Sequence, residues 1–329
     1  IYKYTVEGDL AWKIDEAGKG RGFSGRLEFD FGPEGNLYVA NTDNGTIEVV
    51  SEDGKWIRDI GREQFDGPVT LAFLKDGRLA VSDSQSRLVY IYTKEGDLEA
   101  EIGTGEDGGG QFSRPCGIVQ LPNGLIHVVD SGTQTMERID LQFIFRAPWD
   151  LSSEGVNVPK RGGMIKTLVN LITKQAFLPN RVMFDPIRDH VYVCYEKGGI
   201  NGPAREAFIV RRDDQGAVID SVELNGPEGN PLNPQRLRPA LEEKIGLVDP
   251  SAYTVGLWDP AVNRFEPLYN QGVNAEIARM KSADSRLRSI RGVGIFFLVL
   301  GLGGLAAGVG LVIREFIQKR RGADDTDET

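Results

Sequence analysis

The chain repeats itself, and the repeat reaches its first residue. Residues 1–24 (IYKYTVEGDLAWKIDEAGKGRGFS) lie over residues 89–113 (VYIYTKEGDLEAEIGTGEDGGGQFS) as an aromatic strand, a Glu-Gly-Asp-Leu turn, a second strand, a Gly-rich loop and Phe-Ser. A second motif recurs at 29–41, 71–83, 118–130, 182–194 and, more loosely, 237–249: an apolar stretch, a turn carrying Gly or Asp, then a β-branched or aromatic strand. Its turn residues Gly35, Gly77, Gly124, Asp189 and Lys244 are 42, 47, 65 and 55 residues apart. Self-similarity of this kind identifies an architecture before any single motif does, and units of about 40 to 50 residues fit the blades of a propeller.

All four strands of a blade can be read in the second copy, over 69–74, 78–82, 87–93 and 98–102. Leu88, Tyr90 and Tyr92 alternate with Val89 and Ile91, the period of two of a sheet buried on both faces. Helices are excluded here because Gly or Pro interrupts nearly every ten residues.

Gly67-Pro68 through Asp83-Ser84 with Arg87-Leu88, and Arg114-Pro115 through Asp130-Ser131, resemble the NHL repeat. That pattern has a Pro-Gly start, an apolar strand, Asp-Gly, a Val-Ala-Asp-Ser strand end and an Arg-Ile strand. The resemblance covers residues 1 to about 273 and thins in the last two copies, where VCYEKGG and VDPSAYT replace the usual strand end. It implies a six-bladed, all-β propeller. Residues 1–24 then read as the outer half of one blade, and the count stops at five and a half. A ring needs closure, so the expectation is that about 20 or more residues precede Ile1, with a strand donated from 151–177 as the alternative. Those residues, 151–177, are the main irregularity of the propeller: either a functional loop or a cover for a blade edge.

At the other end, Val293 to Ile313 is a run of 21 uncharged residues bracketed by Arg291 and Arg314, about the length of a bilayer core at ~1.5 Å per residue. A transmembrane helix is predicted over 292–314. Gly301, Gly304 and Gly308 give it a face nearly free of side chains, suited to close packing against another helix. Residues 274–291 read as a helical juxtamembrane stalk with arginines at the lipid headgroups, and 315–329 as a charged, disordered tail. Basic residues flank both sides of the span. The absent initiator Met and the Lys319-Arg320-Arg321 cluster nonetheless favour a propeller outside the cytoplasm.

Thirty-eight basic against 48 acidic residues give a net charge of −10, which argues against nucleic-acid partners. Cys116 and Cys194 read as inner-strand residues of consecutive copies; a disulfide is geometrically conceivable and two buried free thiols are the preferred state. His127 and His190 lie in apolar second strands, where a structural role is preferred over metal ligation. Zinc constellations, nucleophile elbows and Walker loops are absent from the sequence. Glu28 and Asp30 are the only acidic pair placed to face the channel, and their spacing suits a solvated or salt-bridged face. Arg26, Arg114, Arg181 and Arg236 precede the inner strands of their blades and would gather at one channel mouth as an anion- or partner-binding rim, or else pair with Asp43, Asp83 and Asp130 of neighbouring blades.

The sequence thus predicts a membrane-anchored propeller without catalytic residues, cofactor or metal. It would act as a scaffold subunit of a larger membrane assembly, respiratory or photosynthetic, touching lipids and other transmembrane subunits through its helix and a protein partner through its propeller. The competing expectation is a lactonase- or lyase-like hydrolase with a metal in the channel.

Overall fold

In the computed structural model the described residues are 1–4, 10–14, 16–23, 27–103, 112–152, 177–199, 202–226, 232, 234, 236–240, 243–249, 254–267, 278, 279 and 282. They divide into two units, Ile1–Asn270 and Gln271–Thr329. In the second unit Ala278, Arg279 and Ser282 are helical and exposed. The predicted span and its Gly301, Gly304 and Gly308 lie outside the described residues, among which no helix is long and apolar enough to cross a membrane.

The first unit is an all-β propeller. Its opening hairpin pairs β1 (Tyr2–Tyr4) with β2 (Leu10–Lys13), and a short ribbon of β3 (Glu16–Ala17) and β4 (Arg21–Gly22) follows. Five four-stranded antiparallel blades come next, each in sequential strand order. The first is β5 (Leu27–Phe31), β6 (Leu37–Asn41), β7 (Thr46–Val50) and β8 (Trp56–Ile60). The second is β9 (Pro68–Phe73), β10 (Leu79–Asp83), β11 (Leu88–Tyr92) and β12 (Leu98–Ile102), matching the predicted strands to within a residue at each end. The third is β13 (Pro115–Gln120), β14 (Ile126–Asp130), β15 (Thr135–Ile139) and β16 (Phe145–Asp150). The fourth is β17 (Leu178–Asp185), β18 (His190–Gly199), β19 (Gly202–Arg212) and β20 (Val218–Val222); the fifth is β21 (Arg236–Pro239), β22 (Ile245–Asp249), β23 (Thr254–Asp259) and β24 (Arg264–Pro267). Of the six blades expected, five are thus complete among the described residues. The hairpin adds two strands, as the internal repeat required.

In the first two blades the second and third strands are buried on both faces, and the core lies between blades. Tyr38, Ile47 and Val49 of the first blade meet Leu71, Val81, Tyr90 and Tyr92 of the second. Ala80, Val89 and Ile91 of the second pack on Ile118, Ile126 and Val128 of the third. Ile1, Trp12 and Ile14 of the hairpin cover Leu37, Val39 and Val50 of the first blade. At about 25 cal/mol per Å² of apolar area, these interfaces are the main source of stability.

The turns repeat as faithfully as the strands. In each blade the turn between strands 1 and 2 contains a residue in the left-handed region: Gly35, Gly77 and Gly124 (φ 85°, 89° and 86°), then Asp189 and Glu243 (φ 56° and 60°). In the first three blades that glycine N–H closes the turn on the carbonyl three residues back, for example Gly77 on Leu74 at 2.9 Å. This is the three-residue hairpin that glycine favours. In the fifth blade Glu243, not Lys244, holds the position.

Candidate functional site

The inner strands β5, β9, β13, β17 and β21 line up around a common axis, and their side chains meet there. Glu28 of β5 is buried, and its oxygens lie 3.6 Å from Arg181 Nε on β17 and 4.0 Å from Arg238 Nη2 on β21. Arg181, also buried, donates to the Cys116 carbonyl of β13 at 3.0 Å and to the Asn180 carbonyl at 2.8 Å. Arg238 donates to the Phe29 carbonyl at 3.0 Å and lies 3.6 Å from Asp30. One polar knot therefore joins four of the five inner strands and links the last blade to the first.

Alternation within a strand explains which residues enter the knot. Glu28 and Asp30 share a parity and so point the same way, whereas Leu27 and Phe29 pack toward the hairpin. An acid facing two guanidinium groups is a structural anchor; to act as a general base it would have to leave both.

Of the predicted arginine rim, the side chains of Arg114 and Arg181 are described. Arg114 is exposed at the start of β13, Arg181 lies in the axis instead of at the mouth, and Arg26 lies outside the described residues. The backbone of Arg236 belongs to β21, but its side chain is not described. Arg238, two residues on from Arg236, reaches both Glu28 and Asp30; the same-parity Arg236-Leu-Arg238 spacing was the signal for it.

Nor do the strand-end aspartates wait for arginines. Asp83 is buried and accepts four backbone N–H groups: Asp66 (2.8 Å) and Gly67 (2.9 Å) from the loop entering its blade, and Gln85 (2.9 Å) and Ser86 (3.1 Å) from the turn that follows β10. Asp130 does the same for Ser113, Arg114, Gly132 and Thr133, at 2.6 to 3.2 Å. This is why the motif ends its second strand in Asp: the carboxylate staples two loops together where no strand ladder can.

Both histidines sit in second strands as predicted. Burial, then the nearby Arg138, pushes His127 down to about 4; its Nδ1 lies 3.1 Å from the Leu125 carbonyl and its ring 5.0 Å from Trp149. Cys116 and Cys194 are buried thiols outside any disulfide, and burial pushes Cys194 up to about 12. Cys194 belongs to the second strand β18, not to an inner strand: in the recurring motif it stands where Asp130 ends the second strand of the third copy. Among the described residues no group of three or more His, Cys, Asp or Glu side chains converges as a metal site.

A different surface emerges at the ends of the blades. Strands 1 and 3 of every blade run toward one face and strands 2 and 4 away from it, so all turns between strands 1 and 2 and between strands 3 and 4 share that face. Phe31, Ile57, Ile144, Ile187, Val218, Ile219 and Val262, the exposed large apolar side chains of the described residues, all belong to these turns or to strand ends adjoining them. Between the first and second blades the same face carries an open depression of about 530 Å³, lined by Glu34, Tyr38, Val49, Ile57 and Arg58 among others. Tyr38 donates to Glu34 at 2.6 Å, and burial together with that bond pushes its phenol up to about 12. Arg58 donates to the Glu95 carbonyl of the second blade at 2.6 Å, tying the floor of the depression across the two blades.

Known protein families and curated proteins yield no match to this sequence. Solved structures do resemble it in fold. A virginiamycin B lyase from Staphylococcus aureus, in a catalytically inactive form with quinupristin, is 15% identical over 76% of this chain and 71% of its own, with a TM-score of 0.48. A nidogen/laminin complex is 16% identical over 75% and 80%, with a TM-score of 0.48, and Kuenenia stuttgartiensis hydrazine synthase 14% identical over 76% and 70%, with a TM-score of 0.45. At this identity and overlap the likeness carries no activity with it.

Proposed function

We propose that this chain is a non-catalytic, membrane-anchored accessory subunit whose propeller docks protein partners within a larger membrane assembly. The reading takes the propeller as NHL-like and as six-bladed, with the hairpin of β1 and β2 as the outer half of one blade. The observation that carries it is the occupied axis: Glu28, the acid best placed for channel chemistry, is engaged by Arg181 and Arg238. A scaffold gains from such a knot, since it fixes the inner strands while leaving the outer turns free for contact. The uncharged run 293–313 supplies the anchor, its Gly301, Gly304 and Gly308 face packing on neighbouring transmembrane subunits, with the propeller outside the cytoplasm and the Lys319-Arg320-Arg321 tail inside. A respiratory or photosynthetic assembly is the host class proposed.

Purification in mild detergent tests this. The double variant Gly304→Leu, Gly308→Leu is expected to stay in the membrane fraction and lose its co-purifying subunits; unchanged co-purification refutes the helix-packing role. Stoichiometric Ca²⁺ or Zn²⁺ in the purified protein, with a turnover lost on chelation, would replace the scaffold by a lactonase- or lyase-like channel enzyme.

A further inference from the structure

One face of the propeller carries exposed apolar side chains on its described turns. Exposed apolar side chains scattered without selection fall on both faces of a ring. Here all seven large ones among the described residues project from the face of the strand 1–2 and 3–4 turns, and none comes from the described residues of the opposite face's loops. They come from four of the five blades, so no local folding need of one blade accounts for them. Each is exposed by more than two-fifths, from Ile57 at 44% to Val262 at 64%.

We infer that this turn face is the docking surface for a protein partner that presents apolar side chains within a basic surround. The inference rests on the scaffold reading and names its surface. Charge selects the occupant: the same turns carry Glu34, Glu52, Asp53, Glu95, Asp213 and Asp214, and acidic residues outnumber basic ones across the face. Such a face repels an anionic lipid surface and steers a basic protein one. The last strand, β24, starts from the turn at 260–263 and runs toward the opposite face. The depression between the first and second blades gives one partner side chain a seat, with Val49 and Ile57 as its apolar wall and Glu34 at its rim.

A photo-crosslinking residue placed singly at Ile187 or Val262, in the full chain in its native membrane, tests the inference against the same residue at Gln85 or Thr133 on the opposite face. Ile187 and Val262 are expected to give a protein adduct whose crosslinked peptide is basic, with a yield that falls several-fold when salt rises from about 0.05 to about 0.5 M. Gln85 and Thr133 are expected to give none. Protein adducts only from Gln85 or Thr133 overturn the inference and leave the scaffold reading standing. Lipid adducts from the turn face, or an acidic or salt-insensitive partner peptide, also overturn it. Adducts from neither face sink both.

Discussion

Replacing Asp83 by Asn removes one charge and no volume, so any large effect must come from its hydrogen bonds. The carboxylate divides its work evenly, Oδ2 accepting from Asp66 and Gly67 and Oδ1 from Gln85 and Ser86. An amide offers one oxygen, which can satisfy two of these donors, and turns an NH₂ group toward the other two. Each bond to a charged acceptor contributes about 1.5–3 kcal/mol, and a buried donor left without a partner costs about 1–3 kcal/mol. With two of the four bonds lost and part of the loss recovered by local movement, Asp83→Asn is expected to destabilise the propeller by roughly 3 kcal/mol, a mutational effect at the upper end of the usual range. In a domain of this size that lowers Tm by roughly 6–12 °C.

Calorimetry or denaturant unfolding of the purified protein measures the loss, with Asp97→Asn as control: Asp97 is an exposed turn residue of the same blade, and its substitution is expected to stay within about 0.5 kcal/mol. Hydrogen exchange adds a local readout, since the amides of Asp66, Gly67, Gln85 and Ser86 should exchange faster in the variant while those of distant blades change only with global stability. If Asp83→Asn matches the control, the loops hold themselves through turn propensity and the stapling argument is refuted.

The axial knot predicts that Glu28→Gln costs about 3–5 kcal/mol, because it strips a buried guanidinium of its counter-charge, and that adding Arg181→Met restores part of the loss; additive effects in denaturant unfolding would contradict the pairing. His127 makes stability depend on pH. Its folded value is depressed to about 4 from 6.5, so the unfolded chain binds a proton that the folded chain refuses, and stability is lost as pH falls from about 6.5 toward 4. Between pH 7 and pH 5 the loss is about 2 kcal/mol, and His127→Phe should flatten that part of the curve; an unchanged slope would show that the ring is protonated in place.

Strand content was legible because period-two alternation and glycine turns are local signals, and the second blade shows this to within a residue per strand end. The fourth and fifth blades were harder to read because Asp189 and Glu243 stand in their left-handed turn positions, where the sequence offers no glycine to mark them. What the sequence did not reveal is partnership across the ring. Arg181 and Glu28 are 153 positions apart, and no spacing rule connects an inner strand of the fourth blade to one of the first. A ring of blades converts sequence separation into proximity at only one place, the axis. A buried charge there must find its partner on another blade, whereas Asp83 and Asp130, away from the axis, can be satisfied by backbone within 17 residues. Position along the radius therefore decides what each buried carboxylate does: the strand-end aspartates fold a blade's own loops, and Glu28 holds separate blades to one another. Neither task leaves any of these three carboxylates free for chemistry.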